Sequence, residues 1–240
     1  IEKQKGLAKA LGSIGIVFSE QSNYAKALQY YLKAVKIYEQ IKDEEKCAKL
    51  YNNIGVVYKS QSADFKALEY FIKTQKIQEK LKDANIGITY TNIGNGYLKQ
   101  NNLPKAFDYY AKAKTALEQH PNPRALGEWY NNVGLYYKVS KQMDKAIEHW
   151  NSAILTFETI DDKFGVGDSY LLLGQLFLEQ DKLFQATQMA EKSLALAQKI
   201  QVLEQVVLSE KLLSDIYQKQ NNSALALLHF KRYSQAKDSL

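Results

Sequence analysis

One register recurs along this chain every 40 residues, and once after 39. It is anchored on Gly15, Gly55, Gly94, Gly134, Gly174 and Ser214. Three residues beyond each anchor stands an aromatic ring: Phe18, Tyr58, Tyr97, Tyr137, Phe177 and Tyr217. Nine further on is always an alanine: Ala27, Ala67, Ala106, Ala146, Ala186 and Ala226. Four residues after that come Tyr31, Phe71, Tyr110, Trp150, Ala190 and Phe230. A period of this length restricts a chain to stacked arrays, because one unit cannot bury its apolar face alone. Within a unit, Tyr51, Ile54, Gly55 and Tyr58 fall at i, i+3, i+4 and i+7, one face of a helix. Ala67, Phe71 and Thr74 mark a second helix in the same way. Glycine inside a helix costs about 1 kcal/mol relative to alanine, so five glycines in one register need a compensating contact. We expect that contact to be close approach of the partner helix at the alanine, with the aromatics filling the space around it.

Tyr51-x-x-Ile54-Gly55-x-x-Tyr58 with Ala67-x-x-x-Phe71, and Tyr130-x-x-Val133-Gly134-x-x-Tyr137 with Ala146-x-x-x-Trp150, resemble the tetratricopeptide repeat family. The resemblance implies an all-α, right-handed α-solenoid of helix–turn–helix repeats with about twelve antiparallel helices. It implies a single array over 1–240, in repeats of about 5–42, 43–82, 83–121, 122–161, 162–201 and 202–240. The period exceeds the roughly 34 residues of the standard repeat, and the usual repeat-ending proline is missing. Its length, the Asn52-Asn53-Ile54-Gly55 signature and the closing Tyr233-x-x-x-Lys237-Asp238-Ser239-Leu240 are similar to a particular setting. That setting is the repeat region ahead of the membrane helix and output domain in bacterial sensor kinases and transcription regulators, especially of the Bacteroidetes type. The opening Ile1-Glu2-Lys3-Gln4 aligns with Ile41-Lys42-Asp43-Glu44, and we read the chain as a segment of a longer protein.

Chemistry-bearing constellations are absent from the sequence. Cys47 is the single cysteine, so there is no disulfide framework. His120, His149 and His229 lack ligand-spaced partners, which argues against a metal site. Gly165-x-Gly167 lacks the strand and third glycine of a phosphate loop. Asp43, Asp83 and Asp162 sit where helices should begin and read as N-caps. The net charge of +6 comes from 32 basic residues interspersed with 26 acidic ones, as on solvated helix faces. No apolar run reaches the roughly 18 residues of a membrane span. We therefore expect no enzyme, no cofactor, no nucleic-acid partner and no membrane contact by this segment. His120-Pro121-Asn122-Pro123 is the one strong punctuation, and we read it as a rigid turn between repeats.

What remains is binding of a protein or peptide. The resemblance places ligand contacts on the concave face, at positions three and two before the glycine, one after it, and four or five after it. Asn52, Asn53, Asn92, Asn131 and Asn132 precede the glycine and Asn95 follows it. Asparagine is a mediocre helix former, so its recurrence asks for a role. Its amide both donates and accepts, and so could hold a peptide backbone or bridge neighbouring repeats. Lys49, Lys59, Lys99 and Lys138 make repeats two to four basic, whereas Glu128, Asp168 and Glu179 make repeats four and five more acidic. The last helix keeps Ala226, Leu227, Phe230 and Tyr233, an apolar face wanting a neighbour. It leads to a second expectation, a scaffold or homodimer formed through Phe230 and Tyr233 at the C-terminal end.

Overall fold

The computed structural model describes residues 2–239, so Ile1 and Leu240, which bound the opening and closing segments noted above, lie outside it. The described residues form twelve α-helices and no strand, the expected all-α solenoid architecture. The chain divides into two compact units, up to His120 and from Pro121. The first holds α1 (Glu2–Glu20), α2 (Tyr24–Gln40), α3 (Glu44–Ser60), α4 (Asp64–Leu81), α5 (Ile86–Lys99) and α6 (Leu103–Gln119). The second holds α7 (Pro123–Val139), α8 (Met143–Glu158), α9 (Lys163–Glu179), α10 (Leu183–Ile200), α11 (Leu203–Lys219) and α12 (Ser223–Asp238). In each unit, helices pair as hairpins and each hairpin packs against the next.

The turns are closed by left-handed residues that are not glycine, among them Ser22, Lys42, Ser62, Lys82, Asn101 and Lys141. At Ser22 the chain reverses so that Asn23 N–H reaches Phe18 C=O at 2.8 Å, and the same bond joins Asp43 to Tyr38 at 2.9 Å. Side-chain caps then start the next helix. Asn23, Asp43, Asn102, Asn122, Asp162 and Asn222 each accept from the backbone N–H three residues on. Asp83 departs from the expectation. Its Oδ1 accepts from Asn85 N–H at 2.8 Å and from Asn85 Nδ2 at 3.0 Å. That local turn replaces the first helical turn, so α5 starts at Ile86.

None of the glycines has positive φ, so their purpose is space. A Cβ built on Gly15 would lie 2.6 Å from the Tyr31 ring, one on Gly55 2.7 Å from Phe71, and one on Gly94 2.8 Å from Tyr110. On Gly134 it would lie 2.3 Å from Trp150 Nε1. The close contact is thus with the aromatic four residues after the alanine, not with the alanine itself. Where Ala190 removes that ring, Gly174 instead faces Leu212 of the following hairpin at 3.0 Å. Where Phe230 is exposed, Ser214 is tolerated, and its hydroxyl donates to Ala226 C=O at 3.1 Å.

The joint between hairpins is built the same way each time. Tyr31, Ala34, Val35 and Tyr38 of α2 pack on Cys47, Leu50, Ile54 and Val57 of α3. Trp150, Ala153, Ile154 and Phe157 of α8 pack on Val166, Leu173 and Leu176 of α9 at the corresponding registers. Burial of these side chains is the main stabilising term, roughly 1.5–3 kcal/mol for each large one.

Candidate functional site

The first helix of each repeat carries the asparagines and lysines singled out by the sequence. In the first unit, Asn52, Asn53, Lys49 and Lys59 lie on α3, and Asn92, Asn95 and Lys99 on α5. Asn52 and Lys59, like Asn92 and Lys99, are seven residues apart and share a helix face. In the second unit, Asn131, Asn132 and Lys138 repeat the pattern on α7.

Their hydrogen bonding differs between the units. In the second, the side chains are tied down. The Ser169 hydroxyl of α9 donates to Asn131 Oδ1 at 2.9 Å, and Asn132 Nδ2 donates to Glu128 C=O at 2.7 Å. Lys138 Nζ is 2.6 Å from Glu179 of α9, and Lys219 of α11 is 2.5 Å from Asp181. The bridging alternative for the asparagines is thus realised at Asn131. The acidic positions are engaged as well. Glu128 pairs with Arg124 at 3.6 Å, and Asp168 accepts from the buried Gln205 at 2.7 Å. Burial pushes the Asp168 carboxyl above its ordinary range, an effect that the Gln205 bond opposes.

The first unit is left more open. Thr89 stands in the register of Ser169, but its hydroxyl donates to Gln78 Oε1 at 2.6 Å. Asn52 Oδ1 is consequently buried without a hydrogen-bond partner. Tyr110 OH donates to Asn95 Oδ1 at 2.7 Å. Asn92 makes no hydrogen bond among the described residues and is half-buried. Lys59 and Lys99 are exposed and form no ion pair among the described residues. Lys49 is not free in this sense, because Glu45 lies 2.7 Å from it. A cleft of about 710 Å³ opens at the hairpin ends, lined by Lys5, Lys42, Asp43, Glu44, Lys49 and Asp83. Its charges largely neutralise one another: Lys5 lies 4.0 Å from Asp43, and Lys80 lies 2.6 Å from Glu44.

One joint had a sequence signal that the asparagine pattern overshadowed. Tyr51 OH donates to Glu39, and Tyr90 OH to Glu79 at 3.0 Å, each linking a first helix to the preceding hairpin. Burial, reinforced by the carboxylates, raises both phenols, Tyr90 to about 12. Glu39, Glu79, Glu118 and Glu158 share one register, so the partner was visible as a second period. At the C-terminal end, Phe230 is 49% exposed and stacks obliquely on Tyr233 at 5.8 Å. Among the described residues no group of three or more His, Cys, Asp or Glu is placed to hold a metal ion, and no helix is long and apolar enough to cross a membrane.

Comparison with known proteins agrees with this geometry. A tetratricopeptide repeat model matches residues 46–119 and 126–199, and a second model of the same description matches 7–41. No curated protein matches the chain in sequence. Among solved structures, a Rap protein complexed with Competence and Sporulation Factor is 15% identical, with a TM-score of 0.75 over 95% of this chain and 74% of that one. A plasmid Rap conjugation gene regulator in complex with a Phr peptide is 18% identical, with a TM-score of 0.72 over 94% and 72%. A signal transduction ATPase with a tetratricopeptide repeat sensor from Pyrococcus horikoshii is also 18% identical, with a TM-score of 0.72 over 97% of this chain and 37% of that one. At these identities the structural likeness speaks for the fold, while the sequence models, matching more than half its length, show that the chain belongs to the tetratricopeptide repeat family.

Proposed function

We propose that this chain is a non-catalytic module that binds an acidic peptide or protein segment along α3 and α5. The observation that carries the reading is the contrast between the units. Lys59 forms no ion pair and Asn52 Oδ1 no hydrogen bond among the described residues, whereas their second-unit counterparts Lys138 and Asn131 are held by Glu179 and Ser169; Lys99 and the Asn92 amide on α5 are likewise unengaged. Unpaired ammonium groups beside an accessible amide suit a ligand with carboxylates and an extended backbone. The Rap–peptide complex supplies a precedent on this fold for peptide binding. The repeat sensor of the archaeal ATPase supports an input role, here within a larger bacterial signalling protein, where the ligand would bias two states by differential affinity.

The test is selection from a random peptide library, followed by calorimetry. Selected peptides should be rich in Asp and Glu. Lys59→Ala with Lys99→Ala should weaken them at least about tenfold, the effect of losing charge-assisted contacts worth 1.4 kcal/mol or more. Lys138→Ala should leave affinity unchanged. Peptides that need Lys138 and ignore Lys59 would overturn this assignment.

A further inference from the structure

The last turns of successive first helices meet as an ion pair in the second unit and as two cations in the first. Lys138 stands four residues beyond Gly134 on α7, and Glu179 five beyond Gly174 on α9. Lys138 Nζ lies 2.6 Å from the Glu179 carboxylate. Lys59 stands four residues beyond Gly55 on α3, and Lys99 five beyond Gly94 on α5. The offsets are the same, and in each unit one second helix, α4 or α8, packs on both members of the pair of first helices. Lys59 is therefore set toward Lys99 as Lys138 is toward Glu179. Both Lys59 and Lys99 are exposed, and neither forms an ion pair among the described residues. No Asp or Glu stands within four residues of either in the chain, and the next, Asp64 at the start of α4, forms no ion pair among the described residues.

Resting on the peptide-binding reading above, we infer that Lys59 and Lys99 together bind one phosphoryl group carried by the peptide, its oxygens standing where the Glu179 carboxylate stands beside Lys138. Two ammonium groups at one joint repel each other and favour an anion between them. A single side-chain carboxylate neutralises one of the two charges. A phosphoryl group carries about −1.5 to −2 at pH 7 and offers three strong acceptor oxygens, enough to meet both. Lysine suits this role because it engages phosphate as a point charge on a flexible stem, so two ammonium groups can reach oxygens of one group. The bound phosphoryl group joins α3 to α5 as the Lys138–Glu179 pair joins α7 to α9.

Calorimetry on the whole chain tests this with a short synthetic peptide of glutamates around one serine, phosphorylated or not. The phosphorylated form should bind at least about tenfold tighter. Lys59→Ala and Lys99→Ala should each remove most of that advantage, and Lys138→Ala should keep it. Lys99→Glu should abolish it while the urea midpoint stays at or above that of the wild type, because Lys59 then gains the partner that Lys138 has in Glu179. Glu179→Lys should do the reverse, building the twin-lysine joint at Lys138 and adding a second bound equivalent of phosphopeptide. Equal affinity for the two forms overturns the phosphoryl assignment; if both still weaken on losing Lys59 and Lys99, the acidic-peptide reading stands without it. A phosphorylation advantage that survives Lys99→Glu overturns it too, as does a Glu179→Lys chain that gains no equivalent. Inorganic phosphate binding as tightly as the phosphopeptide overturns the peptide as the source of the group. Binding of neither form overturns the assignment as well, whereas acid-rich peptides selected from the library would still uphold the wider reading.

Discussion

Gly134→Ala is the sharpest perturbation of the repeat joint. Alanine gains about 1 kcal/mol over glycine in a helix interior. Against this, the new Cβ would lie 2.3 Å from Trp150 Nε1, 2.6 Å from Cδ1 and 2.8 Å from Cε2. Trp150 is fully buried, so its ring can move only by displacing the core, a cost of about 1–3 kcal/mol. Its N–H also donates to Asn131 C=O at 3.1 Å, and a displaced, unsatisfied donor costs a further 1–3 kcal/mol or so. The net is a destabilisation of about 1–5 kcal/mol. The chain's two tryptophans, Trp129 and Trp150, both lie in the second unit, so urea unfolding followed by fluorescence reads that unit alone. Two controls sharpen the test. Gly6 has nothing within 4 Å of a built Cβ, and Gly6→Ala should be neutral or mildly stabilising by circular dichroism. In a Trp150→Ala background, mimicking Ala190 of the fifth repeat, Gly134→Ala should lose its penalty and turn stabilising. A Gly134→Ala chain unfolding at or above the wild-type urea concentration would refute the reasoning.

Four further outcomes can be checked separately. Asn131→Ala should cost about 1 kcal/mol in the same fluorescence assay because it removes the Ser169 bond, whereas Asn52→Ala, which removes an unpaired buried oxygen, should be near neutral by circular dichroism. The Asp168 carboxyl is raised by burial, so the folded chain holds its proton more tightly than the unfolded chain, and this group favours folding below the raised range and opposes it as pH climbs through it. Asp168→Asn should therefore stabilise the second unit at neutral pH and flatten its decline with rising pH, as seen in urea midpoints across a pH series. Burial, with Glu39 and Asp43 nearby, pushes the Cys47 thiol up to about 11; iodoacetamide should label the folded chain slowly at neutral pH, faster as pH approaches that value, and at once on unfolding. His229→Ala should destabilise the chain by about 3–5 kcal/mol in urea because it strands the buried Glu210, whereas changing both residues to tyrosine, as in the second and third repeats, should cost far less.

The elements legible in sequence were those that the joint reuses. The glycine, the alanine and the aromatics recur because every hairpin buries the same registers, and a period of 40 exposes them at once. Legibility fails where one residue is satisfied by a partner outside its own repeat. Nothing local distinguishes Asn52 from Asn131; the difference is made by Thr89 and Ser169, some forty residues on, and by Gln78, which draws the Thr89 hydroxyl away. Likewise Lys59 and Lys138 share a register, yet only the second meets a glutamate, Glu179, on the next first helix. The late start of α5 was hidden because Asp83 occupies the capping position of Asp43 and Asp162 but caps Asn85 instead.

The last repeat shows how such non-local satisfaction rewrites a position without breaking the fold. Glu210 stands where Tyr51 and Tyr90 send hydroxyls to Glu39 and Glu79. A carboxylate there facing a second carboxylate would repel it, and the corresponding register at the end of α10 holds Gln198 rather than glutamate. Relieved of that neighbour, Glu210 turns inward, 2% exposed, with Oε2 at 2.6 Å from His229 Nδ1, while Tyr217 stacks on the imidazole at 5.2 Å. In repeats two and three, Tyr70 and Tyr109 occupy the register of His229 and stack on Tyr58 and Tyr97. The ring-on-ring contact therefore survives, and an acid–histidine pair replaces the tyrosine-to-glutamate bond. A buried polar pair adds little net stability over apolar packing, so its consequence is one of commitment. It binds α12 to α11 through a bond that depends on both partners, and it holds α12 in the orientation that leaves Phe230 facing outward.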